Sequence, residues 1–150
     1  MSGLRPGPDR AADARSTLSS SPDGWLATAS PDGRPHLIAV SMWWTGNDVV
    51  IATLAGSRTA RNLAAAGTGR LALGATDDVV MLDLSLDADE DVDPAGGGLT
   101  GDFARAVGWS PAEEPGEWRL FRLRPRRIQA FRGYGEQPGR DVMLDGTWLW

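Results

Sequence analysis

The chain contains no cysteine and no lysine. The first absence excludes disulfides, thiolate nucleophiles and cysteine metal sites. The second excludes a Schiff-base lysine, and with it the usual covalent attachment of pyridoxal phosphate. All fifteen basic residues are therefore arginine. Histidine occurs once, as His36, which is too little for a dedicated zinc site. No run approaches the roughly 20 apolar residues of a membrane span. Arg5, Asp9, Arg10 and Asp13 interrupt the apolar core that a secretory leader needs. A cytoplasmic protein that neither crosses nor binds a membrane is the expectation. A net charge of −5 argues against nucleic acid as a partner.

The 150 residues suit one domain with a real core. Residues 1–23 read as a flexible N-terminal segment with a short helix over Asp9–Leu18, and residues 24–150 as the folded domain. Three apolar stretches follow: Trp25–Ala29, Pro35–Trp44 and Val49–Thr53. Ser30-Pro31-Asp32-Gly33 and Thr45-Gly46-Asn47-Asp48 join them as hairpin turns. These connections are too short for parallel crossovers. A helix over residues 58–66 starts at Ser57 and carries Arg58, Thr59, Arg61 and Asn62. Its free N–H groups and dipole favour an anion there. Strands are expected at 70–75, at 79–86 and along a long, bent stretch over 118–131, where Pro125 marks a bulge or edge. Leu99–Val107 reads as a short helix, and Val142–Leu149 ends the sheet. The fold class is mainly β: an antiparallel barrel with a few short peripheral helices.

Charge is uneven. No basic residue lies between Arg70 and Arg105, where Asp77, Asp78, Asp83, Asp87, Asp89, Glu90, Asp91, Asp93 and Asp102 fall. Seven arginines follow from Arg119 to Arg140. Residues 87–98 read as an acidic, glycine-rich loop without the register of a calcium loop. The late arginines face solvent, an anionic cofactor, or acids of a second subunit.

The order of parts resembles the pyridoxamine 5'-phosphate oxidase-like family, the FMN- and deazaflavin-binding split β-barrels. The likeness lies in Asp32-Gly33-Arg34-Pro35-His36, in Val40-Ser41-Met42-Trp43 and in Ser57 to Leu63. Leu71-Ala72-Leu73 and Arg124 to Phe131 also fit, so that roughly residues 24–148 are covered. The resemblance implies a homodimer with cofactor sites at the subunit interface. It implies an oxidoreductase acting on a small organic molecule, with FMN or the deazaflavin coenzyme F-420 as the electron carrier. Val40, Ser41, Met42 and Trp43 would line the ring, and Thr53 would reach the ribityl or phosphate region. Ser57, Arg58, Thr59, Arg61 and Asn62 would hold the phosphate. Many relatives have lysine where this chain has Thr59, which supplies a hydroxyl but no charge. A Thr59→Lys change is therefore expected to strengthen anion binding.

No side chain stands out as a catalytic acid or base. His36 follows the turn proline in a strand and reads as a buried, hydrogen-bonded structural residue. Trp109, Trp148 and Trp150 are candidates for the dimer interface. Two rival readings stand beside the enzyme. One is a flavin- or deazaflavin-binding protein without catalysis: a carrier, a sensor or a degenerate family member. The other is a haem-binding barrel with His36 as its only histidine ligand.

Overall fold

A computed structural model describes residues 3–150. Helix α1 (Gly7–Ser20) leads into strands β1 (Asp23–Ala29), β2 (Pro35–Trp44) and β3 (Val49–Leu54). Helix α2 (Arg58–Ala66), strands β4 (Thr68–Ala75) and β5 (Asp78–Asp91) and helix α3 (Gly98–Val107) follow. A long strand β6 (Trp118–Phe131) and short strands β7 (Asp141–Leu144) and β8 (Thr147–Trp148) complete the chain. Single 3-10 turns lie at Pro111–Glu113 and Tyr134–Glu136.

Six strands run in the order β3-β2-β1-β4-β5-β6, and β6 pairs back onto β3. All these pairings are antiparallel, so the sheet closes into a barrel, with β7 and β8 added beyond β6. The turns set the register. Gly33 takes φ +86° and donates its N–H to the Ser30 carbonyl at 2.8 Å. Thr45 Oγ1 accepts from the Asp48 N–H at 3.0 Å and closes the second hairpin. Alternation then sends Leu26, Met42, Ile51, Leu82 and Phe121 into the barrel, where they are buried in one cluster. Each such side chain contributes about 1.5–3 kcal/mol by leaving water.

A second, smaller core lies outside the barrel. Val50, Ala52 and Leu120 on the outer face of β3 and β6 pack with Phe103 of α3. Trp43, Trp109 and Trp118 close over them. Trp109 meets Phe103 edge-on with ring centroids 5.8 Å apart, and meets Trp118 at 5.4 Å.

Three sequence expectations change. Helix α1 starts at Gly7 and packs on the barrel through Arg10, Ala11, Ala14 and Leu18, all buried. Of the segment expected to be flexible, Met1 and Ser2 lie outside the described residues. Arg5 is tied down by the Glu136 carboxylate, with Nη2 at 2.6 Å from Oε1. Second, the acidic stretch after Leu86 continues as strand to Asp91 instead of leaving as a loop. It does so because β6 supplies partners: Arg119 lies opposite Asp91, and its Nη2 reaches Asp89 at 2.8 Å. Third, five of the seven late arginines are engaged by acids of their own chain, Arg126 and Arg140 being the exceptions among the described residues. Arg122 pairs with Asp48 at 3.1 Å, Arg124 with Asp87 at 3.4 Å and Arg127 with Asp141 at 2.7 Å. The expected bulge is present: Asp83 faces Arg127 while Leu84 faces Pro125, leaving Arg126 without an opposite residue. No helix of the described residues is long and apolar enough to cross a membrane.

Candidate functional site

The barrel is split beside α2. Strand β2 pairs with β1 along Pro35–Ser41, but its ladder with β3 covers only Met42–Trp44. From Ser41 back to Pro35, the β2 edge toward β3 therefore has no strand partner. Beyond Ile51, strand β3 stays with β6 through Leu54 and then turns into α2. Backbone donors and acceptors along this open edge are available to a ligand, since unpaired backbone groups need partners.

At the hairpin end of the edge lies a cleft of about 410 Å³. Ser30, Asp32, Arg34 and His36 line one side, and Arg58, Arg61 and Asn62 line the other. The helix phase decides which α2 residues reach it. Thr59, Asn62 and Leu63 face inward and are buried, which leaves Arg58 and Arg61 on the exposed face. Twelve arginines are engaged by acids or carbonyls; among the described residues, Arg58, Arg61 and Arg126 have neither an ion pair nor a side-chain hydrogen bond. Two of these three unpartnered guanidinium groups thus share one cleft. Arg126 lines a separate groove over β1, β4 and β5, where Arg70 and Asp83 already pair with each other.

The other expected site residues take different places. Ser57 caps α2 by accepting the Ala60 N–H at 3.1 Å, and its Oγ lies 3.0 Å from Thr53 Oγ1. Thr53 and Ser57 therefore form one hydroxyl pair at the mouth of the helix. Asn62 donates from Nδ2 to Thr28 Oγ1 at 3.1 Å, holding α2 against β1 while it lines the cleft. Thr59 is 0% exposed, and its Oγ1 is buried without a hydrogen-bond partner. Thr59 thus faces the protein interior, and the cleft receives nothing from it.

Val40 and Met42 point into the barrel core, so only their backbone is available on the β2 wall. Ser41 and Trp43 share the opposite face, as strand alternation requires, and both lie beneath α3 and its following turn. The Trp109 indole N–H donates to Ser41 Oγ at 2.9 Å. Trp109, expected at an interface, is thus used within the chain. Trp148 packs against the barrel core with the Arg15 guanidinium 4.0 Å above its ring. Trp150 remains 49% exposed.

His36 also departs from expectation. It is half-buried, it makes no side-chain hydrogen bond among the described residues, and it lines the cleft. Its strand parity points inward. Yet it lies at the open end of the barrel, beyond the last core layer at Val40, so the imidazole meets the mouth and not the core. Asp32 was legible as a turn residue, and both Asp32 and Arg34 as part of the stretch that carries the family resemblance, but neither as a site residue. Their place in the cleft follows from the hairpin folding back toward α2.

Residues 11–88 match the family model for pyridoxamine 5'-phosphate oxidase. Solved structures share the barrel. An F420 reductase is 20% identical over 76% of this chain and 94% of that one, with a TM-score of 0.63. General stress protein 26 from Bacillus anthracis is 17% identical over 81% of this chain and 92% of that one, also at 0.63. A heme binding protein from Mycobacterium smegmatis is 22% identical over 89% of this chain and 57% of that one, at 0.62. These likenesses establish the fold alone. A search of curated proteins found no match. Matched by the family model over more than half its length, the chain belongs to the pyridoxamine 5'-phosphate oxidase family.

Proposed function

We propose that the chain binds a phosphate-bearing flavin or deazaflavin and works as an oxidoreductase on a small organic molecule. The observation that carries this reading is the pair of unbalanced arginines, Arg58 and Arg61, in a cleft at one end of an open strand edge. A phosphate needs convergent cationic donors, and arginine offers a planar fork. A fused-ring cofactor needs backbone donors and acceptors beside an apolar wall. The two features adjoin here: Pro35 and His36 belong both to the cleft and to the open edge. Arg58 and Arg61 would hold the tail, with Asn62 beside them. The backbone of Val40 to Trp43 would face the ring, and the Thr53–Ser57 hydroxyl pair would lie between. When bound, such a cofactor supplies the electron transfer; the chain supplies binding, orientation and exclusion of water.

A homodimer belongs to the same reading. Trp25 is 56% exposed and Leu37 63% exposed on the outer face of β1 and β2. They sit beside Ala39 and Ala27, their cross-strand partners. A second copy covering this apolar face would also enclose the neighbouring edge. This surface replaces Trp109 and Trp148 as the interface in the proposal.

One observation favours the rival without catalysis. The position that carries a lysine in many relatives is the sealed Thr59, so the phosphate depends on two exposed arginines. Titration of riboflavin 5'-phosphate and of the deazaflavin into the protein, followed by fluorescence, tests the binding step. Arg61→Ala should weaken the preferred cofactor by roughly tenfold or more, the effect of one charge-assisted hydrogen bond. Equal affinity in the variant would remove the site. Reduction of the bound cofactor by a small donor would separate the enzyme from the carrier. A Soret band on adding haem, lost in His36→Gln, would instead support the haem reading.

A further inference from the structure

We propose that His36 is a ligand-binding residue of this cleft, joining Arg58 and Arg61 on a doubly negative group and adding its charge only when protonated. The inference rests on the reading of the cleft as the seat of the cofactor's phosphate, and extends it to the hairpin side and to its dependence on pH.

The Arg34 N–H donates to Ser30 Oγ at 3.0 Å, and the Ser30 N–H to the Arg34 carbonyl at 3.0 Å. This closed hairpin fixes where β2 begins and sets His36 opposite Thr28. The Thr28 hydroxyl already accepts from Asn62, and β1 offers the imidazole no charged neighbour. The remaining charged groups around the cleft are few. The hairpin supplies Asp32 and Arg34, which pair at 3.4 Å and largely offset each other. Helix α2 supplies Arg58 and Arg61, which nothing offsets. With a neutral imidazole the cleft holds two unbalanced positive charges. With an imidazolium it holds three.

Histidine is the side chain whose charge ordinarily changes near neutral pH. A bound dianion favours the charged imidazolium beside it. Proton uptake and anion binding are therefore linked, and each must strengthen the other. A structural histidine would be hydrogen-bonded and indifferent to ligand; this one has no partner among the described residues to give up.

Sulfate is the probe of choice, because it stays a dianion throughout the imidazole range whereas phosphate does not. Calorimetric titration at about pH 5.5 and about pH 8 brackets that range. The intact protein should bind sulfate roughly tenfold more tightly at the lower pH. His36→Gln should bind equally at both, with the affinity the intact protein shows at the higher pH. Because the chain has one histidine, its ring signals in a proton NMR titration need no assignment. Their midpoint should move to higher pH on adding sulfate. A midpoint indifferent to sulfate, or a pH dependence that survives His36→Gln, would overturn the role of His36. If Arg61→Ala still weakened sulfate and riboflavin 5'-phosphate alike, the phosphate reading would stand without it. Binding unchanged in Arg61→Ala would remove both.

Discussion

Thr59 shows how far one residue's meaning depends on the phase of its helix. Its hydroxyl is sealed and unpartnered, with no exposed surface. A buried hydroxyl without a hydrogen bond costs about 1–3 kcal/mol. Thr59→Val keeps the β-branched shape and removes that group, so it should raise stability by about 1 kcal/mol in denaturant unfolding. Thr59→Lys should do the opposite. The sequence suggested that a lysine there would strengthen anion binding, but its ammonium would begin inside the protein with no acid to meet it. The variant is expected to melt at lower temperature without gaining affinity for sulfate; tighter sulfate binding would show that α2 rotates to accommodate it. The residue types of the site were legible in the sequence, since Arg58 and Arg61 follow a helix start. Their direction was not, because it is set by which α2 face meets β1, and only Asn62 reaching Thr28 reveals that.

Charge joins elements here as well as apolar packing. Glu136, at the 3-10 turn before β7, accepts from Arg5 Nη2 and from the Arg5 and Arg132 backbone N–H groups. Arg10 donates to the Glu136 carbonyl at 2.8 Å. The Arg5 guanidinium holds the Glu136 carboxyl down to about 2, against an ordinary 4.5. A carboxyl depressed on folding stabilises the fold above its ordinary value, and that contribution fades as pH falls toward the folded one. Melting temperature should therefore drop between about pH 4.5 and pH 2. Glu136→Gln should flatten that part of the profile and cost about 1.5–3 kcal/mol near neutral pH, since it leaves a mostly buried arginine with only the half-exposed Asp13, 2.9 Å away, as its acid. An unchanged acid limb would assign the loss to other carboxylates, such as Asp141, which Arg127 also holds below its ordinary value. This clamp was hidden from sequence reading: its partners lie at opposite ends of the chain. The extension of β5 was hidden for a related reason. Asp87 to Asp91 look like solvated loop until the arginines of β6 stand opposite them. By contrast, β1 to β3 were legible nearly to the residue, because their turns are local and their alternation is strong.

For the whole molecule, the outer face around Trp25 and Leu37 is the test of assembly. Sedimentation at micromolar concentration should report about twice the 16.0 kDa chain mass. Leu37→Asp places a charge on that face without touching the interior, and should give a folded monomer with weaker cofactor binding. A wild-type monomer, or a dimer undisturbed by the aspartate, would move the interface elsewhere. The barrel itself was legible from short strands and tight turns. The smaller outer core was less so, because Phe103, Trp109 and Trp118 come from separate elements and meet only once the barrel exists to carry them.

Barrel closure also sets a timetable. Val49 pairs with Leu123 and Leu54 with Trp118, so the seam joins an early hairpin to a strand made far later. During synthesis, β1 to β5 must wait on the ribosome with one edge of β3 and one of β5 unsealed, since β6 is the neighbour of both. Contacts so distant in sequence close slowly, and unsealed edges recruit other chains. The nascent protein is thus most vulnerable to aggregation just before β6 emerges, and a ribosomal pause at that point would prolong the exposure.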